Sequence, residues 1–440
     1  MNIGIIGGGL MGVALAYYLA EGEHQVTLLE QGPDLGGLNG ALTLEDGLTI
    51  ARYQHAILPG DRHVRGLYAA LGLADDLVFG PAHTGFVHNG MLRGMSTLWG
   101  FLAFAPLRLP DRLRLGRTVA AALHTHDWTV LDAVPARDWL VRLGGRETFE
   151  SIWAPLLEAK FDGAYNEIPA TYVWSWLRRM AAARHLPGFQ VSLAVPRRGH
   201  GALIAAMAAA VRARGGAVLI NTRVREIEVG QGRLQRVRTH SDVLDFDAVV
   251  AALPSPDFAR LVPGADEFYL AALARSRYLG LICPALVLDR SLSPYWTLNL
   301  TDPSSPFSSI VELPHPLDPR RRVVYLPKHT APDSDWMGVS DAEIRDAWLL
   351  RLRQIFPDLR PTDVRHFVVS RARYADPVHF LSAAETLIPI TTPYDGLYLA
   401  NTSQVYPNLP TSDAIIAHAQ HVAQMVARQR QRSLARTAAA

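Results

Sequence analysis

The chain of 440 residues holds a single cysteine, Cys283, which excludes an intrachain disulfide. No Cys–His set stands at metal-ligand spacing, so no metal site is expected. Long apolar runs are missing too: no window reaches the roughly 18 residues a bilayer crossing needs. Nor is there an excess of charge. Lys and Arg total 43 against 41 Asp and Glu, a net charge of +2, which leaves no electrostatic footprint for nucleic acid. Low-complexity sequence and internal repeats are absent apart from a basic end, RQRQRSLARTAAA, read as a solvated helix end. The first apolar stretch lacks a basic leader and is broken by Gly7–Gly9. It therefore reads as a first strand and not as a signal peptide, and a cytoplasmic protein is expected.

What remains is ordinary for a large globular protein: 49% hydrophobic and 19% charged residues, long enough for two domains. Residues 3–30, IGIIGGGLMGVALAYYLAEGEHQVTLLE, read as strand, glycine turn, helix and second strand ending in an acid. Gly7, Gly9 and Gly12 have G-x-G-x-x-G spacing. The first permits the tight turn, the second lets backbone approach a pyrophosphate, and the third lets the helix pack closely. The helix that follows, beginning near Leu10 and Met11, points its free amides and positive dipole end at the anion. Glu30, at the end of the second strand, can accept both hydroxyls of an adenosine ribose and would repel a 2′-phosphate. The unit predicts dinucleotide binding.

Directly after Glu30 and Gln31 comes a second glycine pair, Gly36–Gly37, followed by Leu38. Such a loop can fold back over the same phosphates. Far along the chain, 217–253 alternates as strands with turns at Gly230–Gly232 and Ser241-Asp242, ending in a buried parallel strand. Asp395–Asn401 is a turn and strand. A helix then opens near Thr411, Ser412 or Asp413 as possible caps.

This arrangement resembles the flavin-dependent amine oxidase, protoporphyrinogen oxidase and phytoene desaturase superfamily over almost the whole chain. The segments that carry the likeness are GIIGGGLMG (4–12), LLEQGPDLGGLNG (28–40), RYQHAILPGD (52–61), WAPLLEAKF (153–161), TRVREIE (222–228), RARYADPV (371–378) and GLYLANTSQVYP (396–407). The resemblance implies that the first segment holds the ADP half of FAD and that the double-glycine loop passes near the flavin. It further implies that Val224 meets adenine through its backbone, and that the last strand and helix bring amides to the pyrophosphate and the N1–O2 edge. Three positions depart from the pattern. Gln31 stands where an arginine or lysine is common, Leu38-Asn39 replaces the Arg-x-x-Thr of amine oxidases, and Asn401 replaces a glycine or alanine. The second departure puts an amine substrate in question. Cys283 lies in a strand-like run remote from the C-terminal flavin segment, so noncovalent FAD is expected.

The fold class expected is α/β, a Rossmann-like FAD-binding domain of glutathione-reductase type interleaved with a substrate domain of antiparallel sheet plus helices. Residues 1–80, 195–265 and 375–430 form the first, 81–194 and 266–374 the second, and 431–440 a basic tail. The first insert reads as mostly helical (Pro110–His126, Ala136–Leu143, Thr148–Leu157, Tyr172–Ala183). The second reads as a helix near Glu267–Ser276, strands at 279–289, 308–313 and 322–327, and a helix at Asp341–Ile355. The apolar stretch Leu98–Leu107 reads as a substrate-tunnel wall, with a peripheral membrane contact left open.

In a flavoprotein of this kind the protein supplies orientation and a dry cavity, so catalytic residues need not be numerous. His55 follows the double-glycine loop and could exchange a proton there, although a histidine hydrogen-bonded to the loop backbone has the same pattern. Lys160 is a lone cation among apolar residues and could face the flavin or a substrate carboxylate, although a snorkelling or ion-paired lysine has the same pattern. Glu312 and His315 end one expected cavity strand, and Tyr325 and Lys328 lie on its neighbour. Tyr374 precedes the return to the flavin domain. These groups suit substrate binding as well as a solvated rim or core packing. The function expected is dehydrogenation of a C–C or C–N bond in a sizeable hydrophobic or amphipathic substrate, with oxygen or a quinone among the possible electron acceptors. Two alternatives stand beside it. One is a non-redox flavoenzyme like UDP-galactopyranose mutase acting on a sugar nucleotide or lipid-linked glycan; the other is a dinucleotide held for structural reasons.

Overall fold

The structure is a computed structural model. It describes residues 1–22, 24–88, 90–94, 107–185, 190–302, 304–315, 318 and 320–439. Strands Asn2–Ile6, Gln25–Leu29, Ala217–Leu219, Ala248–Ala251 and Leu397–Leu399 form one parallel sheet. In space they run 217–219, 25–29, 2–6, 248–251, 397–399. Chain order reverses on either side of Asn2–Ile6, and ligands of such sheets bind outside the carboxyl ends at that point. The sheet is buried on both faces, as a parallel sheet must be. Ile3, Ile5, Val26, Leu28, Ala248 and Val250 pack on one side with the helices Leu10–Glu21, Gly199–Ala213 and Ser412–Ala439. Ile6, Leu29, Val249 and Ala251 face the other side, against the antiparallel meander Val224–Gly230, Arg233–Thr239, Val243–Leu244 and the helix Ser255–Leu261. Alternation at period two explains this partition.

A second sheet of eight strands is built around Arg277–Leu288, which pairs along one edge with the long strand Val364–Val378. Its other edge pairs with Arg322–Tyr325 and Lys328–Thr330, and the sheet continues through Ser309–Pro314 and Thr297–Leu300. One face, with Ile282, Leu286 and Leu288, is closed by the helix Asp341–Ile355. The opposite face, with Cys283, Ala285 and Val287, meets Leu44, Ile50 and Tyr53, just downstream of the double-glycine loop. The two sheets thus face each other across the segment that holds the glycine pair.

The α/β class and most of the elements agree with the sequence reading. Helices occupy Leu109–His124, Ala136–Gly144 and Ala170–Ala182, and Asp341–Ile355 falls where its periodicity puts it. Two features differ. The helix expected over Thr148–Leu157 contains a π-helical stretch, Phe149–Trp153, which lets Phe149, Ile152 and Trp153 all turn inward before Ala154–Phe161 begins. The first insert also sends a hairpin, Thr84–His88 and Met91–Gly94, into the large sheet. The Asn89-Gly90 dipeptide between these strands is a hairpin signal that a helical reading passes over. The stretch Leu98–Leu107 lies outside the described residues except for Leu107. Among the described residues no helix is long and apolar enough to cross a membrane.

The Asp341–Ile355 helix is where the large sheet gains its cover. Ser340 caps it through a box with Glu343, and Trp348, fully buried, donates its indole N–H to the Leu326 carbonyl at 3.2 Å. Replacing Trp348 by alanine is expected to cost about 3–5 kcal/mol, against about 1 kcal/mol for Ser340→Ala. Urea unfolding followed by tryptophan fluorescence should rank the two variants in that order.

Candidate functional site

Two glycines of the turn are sterically required, and the third faces open space. Gly7 has φ +104°, and a Cβ there would sit 2.8 Å from the Ala252 carbonyl oxygen. At Gly12 a Cβ would fall 1.8 Å from the Gly7 carbonyl oxygen, so the helix and turn touch backbone to backbone. At Gly9 nothing lies within 4 Å of the missing Cβ. That open space lies at the start of a helix whose first turn has no side-chain cap, with Leu10 and Met11 buried behind it. Glu30 accepts the Gly8 amide at 2.6 Å through one oxygen and the Gly32 amide at 2.7 Å through the other. A carboxylate has about four lone-pair sites, so two remain for ribose hydroxyls. Gln31 is exposed at this edge. The cradle fits a dinucleotide.

Three chain segments converge on it. Gly36 and Gly37 both take positive φ, +108° and +56°, and the Gly36 amide donates to the Gly8 carbonyl at 2.7 Å. Asn39 Nδ2 donates to Ser412 Oγ at 3.0 Å, tying the loop to the start of the C-terminal helix. There Thr411 makes the cap, accepting the Ala414 amide. Val224 is buried at the start of the meander. Asn401 is buried with its side chain spent locally, accepting from Ser403 and donating to Ser255 Oγ. It secures the strand end to the helix Ser255–Leu261, and its backbone amide is engaged as well, donating to Gln404 Oε1 at 2.9 Å.

Beyond the double-glycine loop lies a buried charge cluster. Lys160, on the helix Ala154–Phe161, donates to Asp376 Oδ2 at 2.6 Å and lies 2.9 Å from His329 Nε2. Asp376 and His329 belong to strands that flank Arg277–Leu288 on its two edges, opposite Leu279 and Leu281. Burial works against the Lys160 ammonium, but the charge of Asp376 outweighs it and holds the amine charged more firmly than usual. Asp376 is likewise held far below the usual carboxylate range, against its own burial, by Lys160 and His329. His329 is pushed down by burial and by Lys160. His329 Nε2 lies within hydrogen-bond distance of both Lys160 Nζ, at 2.9 Å, and Asp376 Oδ2, at 3.1 Å, accepting from the first in one tautomer and donating to the second in the other. That Nδ1 is buried and has no partner. About a quarter of the Lys160 and Asp376 side chains stays open, 26% and 25%, although both are desolvated. Groups in that condition line an internal cleft.

His55 shares the region. Its Nε2 lies 3.0 Å from the Leu38 carbonyl oxygen. It is pushed down by burial, while the Leu38 bond and the charge of Asp376 pull it up. Its ring meets His200 edge to face at 5.4 Å. His200 is 3% exposed, with neither ring nitrogen partnered, and burial, then His55, pushes it down to about 3. Two openings reach these groups. A cleft of about 330 Å³ borders His329 and carries Glu150, Glu158, Asp162 and Asp302. A recess of about 90 Å³ borders His55 and His200 and shares walls with a wider cleft of about 590 Å³.

The other sequence candidates are spread out. Tyr325 donates to the Ala51 carbonyl at 2.9 Å, and His315 Nε2 lies 3.2 Å from the Thr49 carbonyl oxygen, so both line the recess while pinning the 41–51 hairpin. Glu312 is spent on Ser291, the Leu292 and Ser293 amides and Arg322, beside the wide cleft. Tyr374 accepts from Arg260 at 2.8 Å and packs on Tyr278, away from the charge cluster. The structure therefore brings together His55, Lys160, His315 and Tyr325 around the glycine loop, but not Glu312 or Tyr374. Sequence reasoning missed Asp376, His329 and His200. The carboxylate in RYADPV stood inside a quoted segment and was the one signal available.

Comparison with known proteins gives the family and the fold. The family model of the flavin containing amine oxidoreductases matches residues 10–426. The 15-cis-phytoene desaturase of Arabidopsis thaliana is 24% identical over 92% of this chain and 76% of its own length. Among solved structures, cyclohexylamine oxidase from Brevibacterium oxydans covers 98% of this chain and 99% of its own, at 15% identity and a TM-score of 0.68. Reduced UDP-galactopyranose mutase covers 97% of this chain and 96% of its own, at 15% identity and a TM-score of 0.75. With nearly the whole chain matched, this oxidoreductase belongs to the flavin containing amine oxidoreductase family.

Proposed function

We propose that the protein binds FAD noncovalently and dehydrogenates a C–C or C–N bond of a hydrophobic or amphipathic substrate. The observation that carries the reading is the open space at Gly9, with Glu30, the Gly36–Gly37 loop and the Thr411–Ser412 helix start converging on it. When bound there, the flavin supplies the hydride-accepting centre. Cys283, the only thiol, is buried and pushed up to about 12 by that burial, which supports a cofactor held without a thioether.

The chain's own residues orient the substrate, exclude water and move protons. The Leu38 carbonyl can only accept, so neutral His55 donates through Nε2 and keeps its Nδ1 lone pair free to take a proton. The Lys160–Asp376 pair holds an ammonium donor in a desolvated site, its charge balanced by the carboxylate. His329, anchored by Lys160 and Asp376 through Nε2, keeps its buried Nδ1 unpartnered beside the cleft.

Gly9→Val should fold normally, because the apoprotein has room for the side chain, yet purify colourless; Gly12→Ala should disturb the fold itself. Absorbance near 450 nm together with circular dichroism separates these outcomes, and a yellow Gly9→Val protein contradicts the assignment of the turn. Lys160→Met should retain FAD and slow anaerobic flavin bleaching by substrate roughly 10²-fold. Turnover seen only after dithionite reduction would instead support mutase-like chemistry. Because burial lowers the His55 pKa, its neutral form persists through neutral pH. Activity should fall only on acidification below about 6.5, the ordinary histidine value. His55→Ala should be slower and lose that acid limb; an unchanged pH–rate profile would remove His55 from the mechanism.

A further inference from the structure

We propose that the recess beside His55 and His200 binds an anionic oxygen group, a carboxylate or phosphate, at one end of the substrate. The apolar body of the substrate would then extend into the adjoining wide cleft. The inference deepens the flavin-enzyme reading, and rests on it for the place of the oxidised bond.

Two independent observations meet here. The helix Gly199–Ala213 opens at the recess with no side-chain cap and no acidic residue in its first turn, so its leading amides and positive dipole end are uncompensated. His200, in that first turn, is 97% buried by its 3% exposure, lines the recess, and has no partner for either ring nitrogen. A buried imidazole without hydrogen bonds is costly, and a ligand oxygen in the recess would satisfy it.

Charge decides the ligand class. Among the described residues lining the recess there is no carboxylate, whereas Arg197 and Arg198 border it as cations, and His55 and His200, held neutral by burial, border it as hydrogen-bonding groups. Arg198 is paired with Asp76 at 2.9 Å, outside the lining. The cleft beside His329 is the reverse, with four carboxylates. Size agrees as well. A volume of about 90 Å³ holds a few waters or one small head group, not a whole substrate. Val195, Arg197, Leu313, Pro314 and His315 are shared with the cleft of about 590 Å³, whose walls include Tyr295 and Trp296. An anionic group seated against His200 puts the adjoining carbons next to His55, so the bond oxidised lies near the charged end.

The test is calorimetric titration of the purified holoprotein with octanoate, octyl phosphate and 1-octanol, with FAD content read separately from the visible spectrum. Octanoate or octyl phosphate should bind about 10- to 100-fold more tightly than octanol, the worth of a hydrogen bond to a charged group; whichever anion is tighter names the head group. His200→Phe keeps the edge-to-face packing and removes the orphaned nitrogens. It should fold at least as stably and lose most of the preference. Equal affinities for the anions and the alcohol in the wild-type protein, or an undiminished preference in His200→Phe, overturns the proposal. A yellow protein without preference sinks the recess alone. A colourless protein that still prefers the anions sinks the flavin reading and keeps the recess.

Discussion

The contact between Gly12 and the Gly7 carbonyl governs the geometry on which the site depends. With only 1.8 Å between that oxygen and a would-be Cβ, no other residue lets the helix Leu10–Glu21 start so close to the end of the first strand. The closeness aims the helix's free amides along the carboxyl edge of the sheet. It also brings the Gly8 carbonyl to where the Gly36 amide can bond it. From that bond follow the position of Leu38, hence of His55, and of Asn39, hence of the start of the C-terminal helix. A local steric fact in the first dozen residues thus sets the relation of segments hundreds of residues apart.

The second constraint is electrostatic. A lysine and an aspartate removed from bulk water are tolerated only as a pair with good geometry, and the Lys160–Asp376 bond at 2.6 Å meets that demand. The pair joins the helix Ala154–Phe161 to the long strand Val364–Val378 of the large sheet, so the elements that carry it are fixed relative to each other. It leaves one histidine with a buried, unpartnered ring nitrogen. Such a group raises the free energy of the empty cleft and lowers that of any occupant able to hydrogen-bond to it, a form of preorganisation.

The cofactor half of the site was legible in the sequence because its information is local. The G-x-G-x-x-G turn, the acid at Glu30 and the Gly36–Gly37 pair each act through backbone freedom within a few residues. The parallel strand at 248–251 and the helix at Asp341–Ile355 were legible through unbroken apolar or periodic runs. The hairpin at 84–94 was hidden by its glycines, which weaken the strand signal while Gly85 and Gly94 make room for the Tyr295 ring. The charge cluster was illegible for a different reason. Lys160, His329 and Asp376 come from a helix and two strands separated by 169 and 47 positions, and no spacing rule links them. His200 looked like one polar residue at a helix start, and only the burial of both its ring nitrogens sets it apart.

The openings to the site carry opposite electrostatic character, and this bears on how a substrate must lie. Carboxylates crowd the cleft at His329, and the recess at His200 has none. Lys160 and Asp376 nearly cancel between them, so the enclosed region contributes little net charge of its own. A molecule uniformly cationic or anionic would gain at one opening and lose at the other. The arrangement therefore favours a polarised substrate, or separate routes for two reactants of different charge. In either case the His55 edge, where apolar walls from Val195 and Leu313 meet the glycine loop, is where an uncharged C–H bond loses least by desolvation.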